Sequence, residues 1–478
     1  MPSLNKKSMR EELDSLRSLF DEQKASGKLS AENQALFRAL MSLIEIMFAV
    51  FMEKTTRKTK DNSSIPPSQT GEDESTPPKK GAKGKGPGQN GEMPSNTRTI
   101  ENVEILKVSD CEHCGEDLSQ SECESYERRT LIDIIFEKHE EHKDAEIKVC
   151  HKCKKPTKAK FPSSHQGPLQ YGVGIKAYAL SLLIAQMVAL GRIQKMIKAL
   201  IGVVISEATI LKYVLQLHQA LEKWEKSAEK ELMRMPTLHV DETSMRINKK
   251  NHWVHVCSGG DITLKRVHPK RGREAIEEIG IIPRYGGVII HDCWKSYDAY
   301  GNCEHGLCGS HLLRELTFII DSNGYRWASN MKKLLRETCG EISKRELKKL
   351  TEEEYANLQK RFRNILTRGE KELPPIPEKQ KGKRGKVAKS DAHNLLERLQ
   401  KYEQAVLLFA RRSYVPFTNN RAERDLRMGK VKQKVSGCFR VEKYAIAYCR
   451  ISSYLQTMNA KGYNPLVAIQ IALAGKAA

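Results

Sequence analysis

The chain has 478 residues, a formal net charge of +22, 39% hydrophobic residues and 29% charged ones. That length is too great for one ordinary domain and allows about three or four. The hydrophobic share supports real cores, and the charge points to a polyanionic partner, nucleic acid first. A ribosomal or chromatin-type protein would be equally basic, so charge alone names no function.

Residues 1–58 read as helix. Met9, Leu13, Leu16, Leu19 and Phe20 recur at three- and four-residue steps, and Leu36, Leu40, Leu43, Met47, Val50 and Phe51 resume the pattern after "ASGKLS" (Ala25 to Ser30). A helical hairpin or coiled coil that joins protomers fits this, and so does packing on the body. "LMSLIEIMFAVFM" (Leu40 to Met52) is short for a bilayer and carries Glu45; "AYALSLLIAQMVALG" (Ala177 to Gly191) is also short and contains Gln186. Both are expected to be packed helices. Without a signal-peptide pattern, the twelve cysteines are expected to be reduced thiols or metal ligands, in a cytoplasm.

Residues 59–98 turn to Pro, Ser, Gly, Lys and Glu and read as a disordered linker. Residues 99–165 follow as a zinc-binding module. "CEHC" supplies Cys111 and Cys114, and "CHKC" supplies Cys150 and Cys153. Two such knuckles offer the four thiolates of one tetrahedral structural zinc, and the intervening "YERRTLIDIIFEKHEEH" is expected to form a hairpin. Free thiols in a chance arrangement are the alternative. Residues 166–232 read as helices, with a break near Gly202 and Ser206 as N-cap of the helix that follows. That outline matches a DNA-binding helix-turn-helix, although any helical pair resembles it.

From Thr237 the texture changes to strands: "TLHVDETSMRI", "NHWVHVCSG" and "ITLKRVHP", then a helical "REAIEEIG", then "YGGVIIHDCWKSY", and a short fifth strand in "HGLCGSHLLREL". Three meandering strands, a helix and a fourth strand make the order of a ribonuclease H-like α/β fold. In it the first and fourth strands are neighbours, which brings Asp241 and Asp292 together. Two close carboxylates repel unless a cation sits between them, and magnesium suits oxygen ligands and phosphates. Glu423, in "TNNRAERDLRMGKVKQKVSGCFR", is the candidate third acid; pairing with Arg427 four residues on is the alternative. Glu242 is expected on the opposite face of the strand from Asp241 and outside the triad, so that its removal costs much less. The catalytic domain is expected over residues 233–440, interrupted by a helical insertion near 322–401, with a helical tail over 441–478. Within the insertion lies the basic loop "EKQKGKRGKVAKS", whose Lys381, Lys383 and Arg384 would grip phosphates or merely be solvated. Arg424, Arg427 and Lys430 beside Glu423 suit a helix facing a nucleic-acid backbone. Cys303, His305, Cys308 and His311 are spaced too tightly for a usual second zinc, and Trp294 and Tyr297 are expected to pack rather than stack on bases.

The double C-x2-C module, "HVDET", "HDCWKSY", "LCGSHLLREL", "NNRAERDLR" and "YLQTMNAKGYNPL" together resemble DDE transposases of the insertion-sequence-66 family, over most of the chain. The resemblance implies that Asp241, Asp292 and Glu423 form the catalytic triad on two magnesium or manganese ions. It implies support from Cys308, His311 and Asn420, beside the one structural zinc. It implies cleavage and joining of double-stranded DNA at terminal inverted repeats, by a homo-oligomer on DNA, with accessory proteins of the same element as further partners and no membrane. Cys293 departs from the pattern, where glycine is expected more often. An inactive DNA-binding regulator, or a ribonuclease H-like nuclease or resolvase without strand transfer, would share many of these features.

Overall fold

The computed structural model describes residues 6–26, 29–56, 58, 59, 61–63, 103–129, 131, 134, 136–376 and 389–477. The linker reading falls almost wholly outside them, as do Lys381, Lys383 and Arg384. The chain divides into two compact units, Met1–Gly84 with Glu225–Ser453, and Lys85–Trp224 with Tyr454–Ala478.

The first unit opens on helices α1 (Lys6–Ala25) and α2 (Ala31–Thr55), interrupted where the sequence indicated. At 25 residues, α2 is long and apolar enough to cross a membrane, so the apolar stretch 40–52 understates the helix that contains it. Its charge argues for a different use. Glu45, near the middle, pairs with Arg17 of α1 at 2.7 Å. Leu36, Leu40, Leu43 and Met47 stay exposed along α2. Its last turn is fixed: the buried Glu53 accepts the backbone amides of Asp391 (2.8 Å) and Ala392 (3.1 Å).

In the second unit, β1 (Ile147–Val149) pairs antiparallel with β2 (Pro156–Lys158). The hairpin thus wraps the second cysteine knuckle. The described part of 126–142 forms no strand, which corrects the sequence expectation. Its described apolar residues Leu131, Ile134 and Phe136 are exposed. Helix α3 (Val173–Leu180) runs into a π-turn that buries Leu183 and Ile184. Helix α4 (Leu190–Ile201) stops at Gly202, whose φ of 70° is the left-handed conformation glycine tolerates. Ser206 then caps α5 (Glu207–Ala220) by accepting the amide of Thr209, as its position foretold.

Helix α6 (Glu222–Leu232) leads into the central sheet: β3 (Thr237–Ile247), β4 (Lys250–Gly259), β5 (Ile262–His268), then α7 (Arg273–Ile279), β6 (Val288–His291) and β7 (Glu304–Leu307). The sheet order is β5-β4-β3-β6-β7. The first three strands are antiparallel, whereas β6 runs parallel to β3, with Leu238 opposite Ile289, and β7 parallel to β6. The first and fourth strands of the sheet are therefore neighbours, as expected. Helices α8 (Gly309–Asn323), α9 (Arg326–Lys344), α10 (Glu352–Glu372), α11 (Asp391–Lys401) and α12 (Glu403–Arg411) build one apolar core with β6 and β7, centred on Trp327, Phe362 and Leu407. Helix α13 (Asn420–Ser436) packs on β3 and β4. Helix α14 (Glu442–Ala460) follows, and α15 (Pro465–Leu473) packs on α3 and α5.

Candidate active site

Asp241 lies on β3, and Asp292 follows β6 directly, so the parallel pairing of those strands sets two acids at the same sheet end. Glu423 sits in the first turn of α13. One residue holds that helix to the sheet. Asn419, 1% exposed, gives its side-chain amide to the Val240 carbonyl (2.8 Å), pairs its Oδ1 with His239 Nδ1 (2.9 Å), and donates its backbone amide to Cys308 Sγ (3.1 Å). Asn419 thereby joins β3, α8 and α13 on the face of β3 that carries Asp241.

Burial, reinforced by the charges of Glu242, Asp292 and Glu423, pushes the Asp241 carboxyl up to about 8. An acid surrounded in this way needs either a proton or a cation. The folded state holds that proton more tightly than the unfolded chain does. Metal-free protein should therefore lose stability as pH rises from about 4 to about 8, with a limiting slope of about 1.4 kcal/mol per unit. Thermal midpoints in chelator across that range check this. Asp241→Asn should flatten the slope; an unchanged slope in that variant would assign it to another group.

Glu423 forms no ion pair with Arg427. It lies 3.6 Å from His311 Nδ1 and 3.8 Å from Arg314. The other acids nearby are engaged elsewhere. Glu315 pairs with Arg398, and the buried Asp425 accepts from Ser258 (2.6 Å) and Thr263 (3.0 Å). Among the described residues, the three triad acids are not gathered within 4.8 Å of one another; Cys308, His311 and Glu423 are. Ser310 donates to Asn420 at 3.2 Å, a second tie between α8 and α13.

Glu242 faces away from Asp241, as alternation requires, but it is no solvated neighbour. Its carboxylate is buried, receives Tyr297 at 2.7 Å and Arg271 at 2.8 Å, and is pushed up by burial despite both. Arg271 in turn lies between the rings of Trp253 (4.9 Å) and Trp294 (4.2 Å). Tyr297 and Trp294 thus pack, as expected, and they fasten the turn that carries Asp292. Nothing in the local sequence marks Glu242 as buried, because its partners lie 29 and 55 residues away.

Cys293 has φ 70°, which explains why glycine is expected there. Trp294 N donates to Asp292 Oδ1 (3.1 Å) and Cys293 N to His291 Nδ1 (3.1 Å), so the turn forces the left-handed conformation. Cys293→Gly should accordingly be more stable than Cys293→Ala by about 1 kcal/mol, since both lose the thiol and glycine alone relieves the strain. Urea denaturation midpoints measure the difference; equal midpoints would mean the turn carries no strain.

Arg424 and Arg427 are exposed beside Glu423. Lys430 is not available in the way the sequence suggested. Its ammonium donates to the carbonyl (2.8 Å) and hydroxyl (2.9 Å) of Ser244. Cys303 and His305 turn to the Tyr300 carbonyl, and His305 also meets His291 at 3.0 Å, so they join no cluster with Cys308 and His311.

Each cysteine knuckle is a formed turn. Gly115 N donates to the Cys111 carbonyl and Lys154 N to that of Cys150, and nearby backbone amides hold the Cys111 and Cys150 thiols below their usual range. Local amides that favour thiolate fit a metal ligand. The four thiols do not, however, come within 4.8 Å of one another.

The structure thus sets a half-buried acid on one strand, a second just past its parallel neighbour, and a third on a helix tied to the first strand and to α8. Residues 168–447, more than half of the chain, match the transposase IS66 family, and the chain belongs to that family. A divalent-metal requirement goes with a transposase of this DDE type. No curated protein matches the chain.

Proposed function

We propose that this transposase binds the terminal inverted repeats of an insertion sequence and catalyses metal-dependent strand cleavage and strand transfer through Asp241, Asp292 and Glu423. The observation that carries the reading is the Asp241 carboxyl, which burial first, and then the charges of Glu242, Asp292 and Glu423, push up to about 8. The order β5-β4-β3-β6-β7 supports a ribonuclease H-like core for them. Two magnesium or manganese ions held there would polarise the scissile phosphate and lower the pKa of attacking water or 3′-OH. Asp241 and Asp292 would supply fixed oxygen ligands from the sheet, and Glu423 a third from α13. Asn419 would keep the helix in register with the strand. Arg424 and Arg427 would meet the DNA backbone, and α4 and α5 would read the ends. The net charge of +22 suits a DNA partner. We place the protein in the bacterial cytoplasm as a homo-oligomer on DNA.

The assay is strand transfer with the element's own ends and magnesium. Cleavage without joining, or joining without preference for those ends, would reject the reading in favour of a plain nuclease.

One structural zinc on Cys111, Cys114, Cys150 and Cys153 completes the proposal, supported by the two knuckle turns. Cys111→Ser with Cys150→Ser should lose about one zinc per chain by elemental analysis. Unchanged zinc content would remove these ligands from consideration.

A further inference from the structure

Cys308, His311 and Glu423 offer a sulfur, an imidazole nitrogen and a carboxylate oxygen within 4.8 Å of one another. Cys308 caps α8 and His311 lies three residues on, so both reach the same end of that helix. Glu423 approaches from the first turn of α13, held there by the bond between Asn419 N and Cys308 Sγ (3.1 Å) and by that from Ser310 to Asn420 (3.2 Å). His311 Nδ1 and Glu423 Oε1 are 3.6 Å apart, too far for a good hydrogen bond, and both atoms are buried without a hydrogen-bond partner. Two buried polar atoms facing each other across such a gap make a place for something between them. A tetrahedral zinc with ordinary bond lengths sets its ligand atoms roughly 3.3–3.8 Å apart, a spacing the histidine and glutamate already have.

We propose that Cys308, His311 and Glu423 form a separate zinc site that shares Glu423 with the triad. A thiolate and an imidazole select zinc over magnesium, whereas Asp241 and Asp292, hard oxygen donors alone, select the reverse. The two sets draw on one glutamate. Zinc would hold α13 by Glu423 and Cys308 together, replacing the long contact to His311 with direct ligation. Binding releases the thiol proton to solvent, and the fourth position is left to water or substrate. The site rests on the proposed triad only for the idea of sharing; its own ligands stand apart from Asp241 and Asp292.

The test counts metal in the full chain, not catalysis. After dialysis against zinc and removal of excess, Cys308→Ala and His311→Ala should each carry about one zinc per chain fewer than the parent, while Asp241→Asn carries as many. Cys308→Ala empties a buried position, so the partly exposed His311→Ala repeats the test without disturbing the core. Cobalt supplies an independent readout. Added to Cys111→Ser, Cys150→Ser protein, it should give a thiolate charge-transfer band that Cys308→Ala abolishes. Zinc content equal to the parent in both Cys308→Ala and His311→Ala, or a cobalt band that survives Cys308→Ala, overturns the site. A zinc lost in Asp241→Asn as well would assign the ion to the triad and overturns it too. A failure of strand transfer with the metal differences intact would reject the proposed function and leave this site standing.

Discussion

Asp241→Asn, Asp292→Asn and Glu423→Gln should each abolish cleavage and strand transfer while leaving end binding nearly intact. The amide keeps the carboxylate's shape and removes the charge that retains the cation. At Asp241 that charge is held in a buried site against three other acids, so the site without a cation is electrostatically unfavourable. Metal catalysis supplies several kcal/mol, and each 1.4 kcal/mol or so is a factor of ten, so the loss should be roughly a thousandfold or more. End recognition is assigned to other elements and should survive in a gel shift. Glu423→Gln is the most informative of the three, because Glu423 sits with His311 and Arg314 rather than within 4.8 Å of the other two. Near-parental cleavage by that variant would leave the third carboxylate unassigned. Neither Glu315, paired with Arg398, nor Asp425, tied to Ser258 and Thr263, stands ready to replace it.

Glu242→Ala should unfold far more readily than the parent, by about 2–4 kcal/mol. Removing this carboxylate leaves the Tyr297 hydroxyl buried without its partner and strips Arg271 of its counter-charge. Arg271 is 39% exposed, so water recovers part of the loss and the value falls below that of a fully buried pair. The sequence expectation that Glu242 is cheap to remove concerned cleavage; for the fold, its buried partners lead us to expect the opposite. Chemical denaturation of Glu242→Ala, Arg271→Ala and the double variant separates the two. The double variant should be less destabilised than the sum of the singles by at least about 1 kcal/mol. A Glu242→Ala midpoint indistinguishable from the parent would show that the buried pair adds nothing.

What could be read from the sequence follows the range of each signal. Alternation along β3, β4 and β5 and the apolar run of β6 are local, so the strands were legible, with Asp241 inside β3 and Asp292 just past β6, and so was the Ser206 cap. Cys293 was legible only as a departure from the family pattern, which more often has glycine there, and its positive φ accounts for that preference. Asn419 was not. Its bonds reach residues 111, 179 and 180 positions away, and a polar residue buried by such contacts looks like any surface asparagine. The apolar pattern of 126–142 misled in the opposite direction, since its described residues form no strand and Leu131, Ile134 and Phe136 stay exposed.

The seat of Glu53 bears on where this protein can be cut. Its carboxylate closes the start of α11, accepting two amides that the helix itself cannot satisfy. Asn62 adds a bond to Asp321 of α8 at 3.1 Å. A catalytic fragment begun after residue 63 would look natural from composition alone, yet it would leave those two amides without their acceptor and uncover the face of α8 against which α2 packs. The amino-terminal hairpin is thus a plug, and a fragment meant to preserve the active unit has to carry its own first 63 residues.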